Sequence, residues 1–65
     1  MLVKERLISA RDKKGLSQTA MAKKLGIAQS FYCRIENCKK KCPLDLVADI
    51  ADILEVSVDY LLGRE

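Results

Sequence analysis

Glycines at 15, 26 and 63 and a single proline at 43 divide this chain of 65 residues into short pieces. Within each piece the apolar residues recur at three- and four-residue steps, the spacing of one helix face. Strand-like alternation appears at Val56-Ser57-Val58, a run too short to count. The pattern predicts an all-α fold of five short helices.

The first helix is expected over residues 2–14, with Val3, Leu7 and Ala10 facing inward. Lys13 and Lys14 suit the negative end of its dipole, Gly15 ends it, and Leu16 plugs the core at the turn. Ser17 is the expected N-cap of a second helix, although Ala20 stands where a capping box needs Glu or Gln. Met21, Ala22 and Leu25 form the inner face of that helix, and Gly26 stops it by reaching positive φ. A third helix follows at once over 29–37. Tyr32 and Ile35 point inward there, while Gln29, Ser30, Cys33 and Arg34 share the opposite face. Cys38 to Cys42 reads as a basic loop, C-K-K-K-C. Pro43 at the first helical position and Asp45 in the first turn open a fourth helix with an apolar stripe of Leu44, Val47, Ala48, Ala51 and Leu54. Ser57 caps a last helix over 58–62, ended by Gly63.

This length suits one domain spanning 1–65, with no residues over for a sensor domain. No apolar run approaches the roughly 20 residues of a membrane span, and the first residues hold no secretory stretch, so a cytoplasmic protein is expected. The net charge is +3, and it is unevenly spread. Residues 1–41 hold eleven bases and three acids, a net of +8, whereas residues 42–65 hold one base and six acids, a net of −5. One end of a small domain would attract polyanions and the other repel them.

Residues 18–37, QTAMAKKLGIAQSFYCRIEN, place two short helices across a tight turn at Gly26. Ala22 is small enough for close approach, and Ile27 and Ile35 lock the pair into the core. That is the recipe for a helix-turn-helix over 17–37. The sequence here resembles the phage-repressor and Cro-like helix-turn-helix proteins of bacteria and their viruses. The resemblance is carried by Gly15-Leu16-Ser17-Gln18, Ala22-Lys23-Lys24-Leu25-Gly26-Ile27 and Arg34-Ile35-Glu36-Asn37. It continues in Ala51-Asp52-Ile53-Leu54-Glu55-Val56-Ser57 and Asp59-Tyr60-Leu61-Leu62-Gly63, so it covers nearly the whole chain.

The resemblance implies a five-helix fold that binds duplex DNA. It implies that Gln18 bonds a phosphate and braces the recognition helix, that Gln29 and Ser30 are the first base-reading positions, and that Arg34 is the third. Ala28 falls where some relatives make a methyl or phosphate contact. Chemistry supports these roles, since Gln pairs bidentately with adenine and Arg with guanine. Cys33 shares the base-reading face. Lys39, Lys40 and Lys41 are expected to reach phosphates, and these contacts position the protein without reading sequence. The pattern is broken in places. Tyr32 replaces a branched aliphatic, so the core must enlarge or let the hydroxyl escape. Phe31 is expected to lie exposed at the DNA-facing edge, against a thymine methyl. Cys38 replaces a glycine, which leaves Asn37 or Cys38 to carry any left-handed turn.

Other readings of these residues stand beside those roles. Arg34 can pair with Glu36 or another surface acid, and the lysines can be solvated surface. The cysteines, spaced C-x4-C-x3-C, lack a fourth metal ligand, and the chain has no histidine. An odd count of three fits a reducing compartment. Nearby Lys39 to Lys41 would lower a thiol pKa, which makes a thiol-switched regulator one alternative. A protein-interaction module of the same fold is another. Nothing supports catalysis, a metal or a small-molecule cofactor. The expected function is a sequence-specific regulator, a repressor more than an activator, on a palindromic operator. The expected partners are DNA and a second copy, with no membrane and no small-molecule ligand. Ile53, Val56, Val58, Tyr60 and Leu61 are the expected dimer interface.

Overall fold

The computed structural model describes residues 2–37 and 41–64. Within them lie α1 (Lys4–Lys13), α2 (Gln18–Leu25), α3 (Gln29–Glu36), α4 (Leu44–Leu54) and α5 (Val58–Leu61), with no strand among the described residues. The all-α reading therefore holds, and the helices fall where the periodicity puts them, with shifts at the ends.

The first shift is at the start. Val3 is extended and caps α1 from outside the helix, because its N–H donates to Leu61 O at 2.8 Å. Leu2 is buried in the core, so the first residues are an anchor against α5 and not a helical turn. Gly63 passes so close to that anchor that a Cβ there would meet Val3 Cγ2 at 2.9 Å. Arg6 ties the same corner, with its guanidinium 4.7 Å over the Tyr60 ring and Nη1 donating to Tyr60 O at 2.9 Å.

Leu7, Met21, Tyr32, Ile35, Ile50 and Leu61 are fully buried and draw all five helices onto one core. In α4 the inner stripe is Val47, Ile50, Ala51 and Leu54, which differs from the expected stripe in three ways. Ile50 belongs to it. Ala48 is exposed, lying about 100° round the helix from Val47. Leu44 is 71% exposed, in a first turn that the core does not reach. Pro43 precedes the helix as its N-cap and is not its first residue. The helix ends at Glu55, a non-glycine in the left-handed region at φ 56°. Val56 N–H donates to Ala51 O at 3.0 Å, which closes a Schellman-type cap, and Lys14 forms an ion pair with the Glu55 carboxylate.

A candidate nucleic-acid interface on the third helix

The turn between α2 and α3 sets the interface. Gly26 sits at φ 71°, a conformation in which a side chain would be strained, and Ile27 N–H donates to Ala22 O at 3.0 Å. Ala22 is buried where the helices approach. Ser17 caps α2 as expected, its Oγ accepting from Ala20 N–H at 3.0 Å. The side chain of Ala28, the residue that precedes α3, makes no cap bond.

This frame divides α3 sharply into two faces. Tyr32, Ile35 and Glu36 are buried, whereas Gln29, Ser30 and Arg34 are exposed, with Ala28 exposed beside them. Gln29 and Ser30 start the helix and Arg34 lies one turn beyond Ser30, so the three form a single projecting face without an acid on it. Cys33 is half-buried, and its Sγ accepts from Asn37 Nδ2 at 3.3 Å. It therefore borders that face without projecting from it. Phe31 is half-buried and packs on the core, which corrects the expectation of an exposed ring: the helix turns its edge under the neighbouring elements. Lys41 is exposed, while Lys39, Lys40 and Cys38 lie outside the described residues. Asn37 has φ −86° and carries no left-handed turn, while the alternative, Cys38, lies outside the described residues.

The feature that sequence reasoning missed is a buried ionic bracket behind this face. Glu36 is 2% exposed. Its Oε2 accepts from Arg11 Nε at 2.9 Å, and its Oε1 accepts from Arg11 Nη2 and Gln18 Nε2 at 3.0 Å each. Arg11 Nη1 also donates to Leu16 O at 2.8 Å. The bracket thus joins α1, the first residue of α2 and the end of α3. It disposes of the Arg34–Glu36 pairing, because Glu36 faces the core and Arg34 faces solvent. It also supplies the bracing expected of Gln18, through Glu36. Burial pushes the Glu36 carboxyl upward, but the Arg11 and Gln18 hydrogen bonds and the nearby Tyr32 outweigh it and hold the pKa below the usual range. Burial, followed by the negative Glu36, raises the Tyr32 phenol. Its hydroxyl is buried near that carboxylate, but the contact lacks hydrogen-bond geometry, so the donor is unsatisfied. The core has enlarged around Tyr32 without letting the hydroxyl out. A faint signal of the bracket exists in the sequence: Glu36 falls one turn after Tyr32 on the inward face, and Arg11 one turn after Leu7.

The expected dimer patch is brought together in part. Ile53, Val56, Val58 and Tyr60 are half-buried near the α4–α5 corner, but Leu61 is fully buried and is withdrawn from the patch, since it closes the core. Cys42 is half-buried, and burial pushes its thiol pKa up, while Cys38, Lys39 and Lys40, on which the thiol-switch alternative also rests, lie outside the described residues. Among the described residues, no helix is long and apolar enough to cross a membrane.

Comparison with known proteins agrees with this geometry. The sequence profile of the helix-turn-helix family matches residues 7–61. The chain is 42% identical over 59 residues to the uncharacterized HTH-type transcriptional regulator YobD of Bacillus subtilis, covering 91% of this chain and 53% of that protein. It is 36% identical over 64 residues to the cryptic phage CTXphi transcriptional repressor RstR of Vibrio cholerae, covering 98% of this chain and 57% of that protein. It is 39% identical over 61 residues to the HTH-type transcriptional regulator AnsR of Bacillus subtilis, covering 94% and 53%. The chain spans about half the length of the curated relatives it matches. With most of its length matched by the family profile and its second and third helices meeting across the Gly26 turn, the chain belongs to the helix-turn-helix family of the Cro/C1 type, a family of non-enzymatic DNA-binding proteins.

Proposed function

We propose that this chain regulates transcription by laying α3 in the major groove of a palindromic operator, as a homodimer, and that it acts as a repressor. The observation that carries this is the projecting face of Gln29, Ser30 and Arg34 on the second helix of a helix-turn-helix. Its side chains are those that read adenine and guanine edges, and no acid interrupts it. Gln29, Ser30 and Arg34 read bases, with Cys33 at their border. Gln18, Ala28, Lys39, Lys40 and Lys41 meet the backbone. Ile53, Val56, Val58 and Tyr60 pair the two copies. The name of the relative RstR, a phage transcriptional repressor, favours repression.

Selection of bound duplexes from a random DNA pool, at fixed moderate salt with reductant present, tests the reading. The expected result is a palindrome with half-sites about one turn apart, near 34–36 Å. Recovery of no motif, with weak and steeply salt-dependent binding, would leave only charge attraction and would favour a protein partner instead.

A further inference from the structure

Among the described residues, Tyr32 alone has a buried polar side-chain atom without a hydrogen-bond partner. A phenylalanine would fill the same space without the cost of an unmet donor. The hydroxyl lies beside Glu36, one turn further along α3, and favours that carboxylate's charge without completing a bond. Glu36 is already well served, since Oε1 accepts two donors, from Arg11 Nη2 and Gln18 Nε2. Gln18 is the half-buried member of this set, at the first residue of α2. If its amide turns outward to donate to a DNA phosphate, Oε1 falls one donor short in a place that is closed to water.

We infer that the Tyr32 hydroxyl is a reserve donor. As Gln18 commits its amide to a phosphate, Tyr32 takes its place on Glu36 and keeps the Arg11–Glu36 bracket, and with it α3, in register. Tyr32 is then a positioning residue for DNA binding, acting through Glu36 and Gln18. The hand-over explains why the free protein carries an unsatisfied hydroxyl: its acceptor comes free in the complex. The inference rests on Gln18 being a backbone contact.

The test uses the full chain as wild type, Tyr32→Phe, Gln18→Ala and the double variant. Each is melted without DNA and titrated with a random-sequence duplex at low salt, because phosphate contacts act on any sequence. Tyr32→Phe is expected to melt at or above wild type, yet to bind about five- to tenfold more weakly. Gln18→Ala is expected to bind more weakly, and adding Tyr32→Phe to it to cost nothing further. In protein labelled with carbon-13 at tyrosine Cζ, the resonance absent from Tyr32→Phe should shift on adding DNA, and should stay still in Gln18→Ala. Wild-type affinity of Tyr32→Phe beside a weakened Gln18→Ala would overturn the hand-over and leave the Gln18 contact standing. Wild-type affinity of Gln18→Ala would overturn both. An equal loss from Tyr32→Phe with and without Gln18 would mark a packing effect and overturn the hand-over. Should Tyr32→Phe fail to fold, the resonance decides between the two states, with Cζ assigned by exclusion of Tyr60. A signal that DNA leaves unmoved would overturn the hand-over.

Discussion

Arg34 stands in solvent one turn after Ser30, with no acid paired to it among the described residues. Its nearest acid in sequence, Glu36, is turned the other way and spent on Arg11 and Gln18. A guanidinium exposed on a helix without an ionic partner leaves its planar fork available to a base edge. Arg34→Ala is therefore expected to cost about 1–3 kcal/mol of operator affinity and to relax preference at one position in each half-site, with no change in melting temperature. Binding to duplexes varied one base pair at a time checks it. A loss of equal size on every sequence would make Arg34 a phosphate contact instead.

The short helix α5 combines closure of the core with the proposed pairing surface, and its sequence does not separate the two. Val58, Tyr60, Leu61 and Leu62 crowd into one turn and a half, and only the packing shows which of them closes the core. Leu61 does, at 0% exposure, while Val58 and Tyr60 remain half-exposed beside Ile53 and Val56. Leu61→Ala is expected to cost about 2–5 kcal/mol of folding stability. Val58→Asp should leave the fold near its normal stability but weaken self-association and operator binding together. Denaturant melts and sedimentation of the two variants check this contrast, and a dimer that survives Val58→Asp would move the pairing surface elsewhere. The same distinction explains what the sequence could and could not reveal. The α2–turn–α3 unit was legible because its signals are local: Ser17, Ala22, Gly26 and Ile27 lie within one short stretch. A stripe counted from the helix start takes in Leu44 and passes over Ile50, because it does not say where the core ends. From sequence alone Glu36 looks like a surface acid, because its burial depends on Arg11, a partner 25 positions away. Glu55 gave no sign of its left-handed φ, since glycine usually takes that place.

At the scale of the whole molecule, charge acts in two ways, and pH and salt separate them. The Glu36 carboxyl is held below its ordinary value in the folded chain, so the unfolded chain binds its proton more readily. Its charge therefore stabilises the fold above the unfolded value of about 4.5, and that contribution is lost as pH falls through the lower folded value. Thermal melts across acid pH should show Glu36→Gln less stable than wild type at neutral pH, with the gap closing on acidification. A constant gap would mean that the ionic bracket adds nothing that titrates. Salt addresses the outer charges. The basic part of the chain carries a net +8 and the acidic part −5, but counterion release counts phosphates contacted and not the charge of the protein. Charges more than about 8 Å from the DNA are screened at physiological ionic strength. Lys41 is exposed and follows α3 in the chain, whereas Asp49 is exposed on α4 in the acidic part. Lys41→Ala is expected to weaken binding alike on all duplexes and to flatten the plot of log affinity against log salt by about 0.9. Asp49→Asn should leave that slope unchanged and raise affinity slightly at low salt only. Titrations at several salt concentrations distinguish the two effects. An unaltered slope for Lys41→Ala would remove Lys41 from the phosphate contacts, and a changed slope for Asp49→Asn would mean that α4 lies nearer the duplex than a docking through α3 allows.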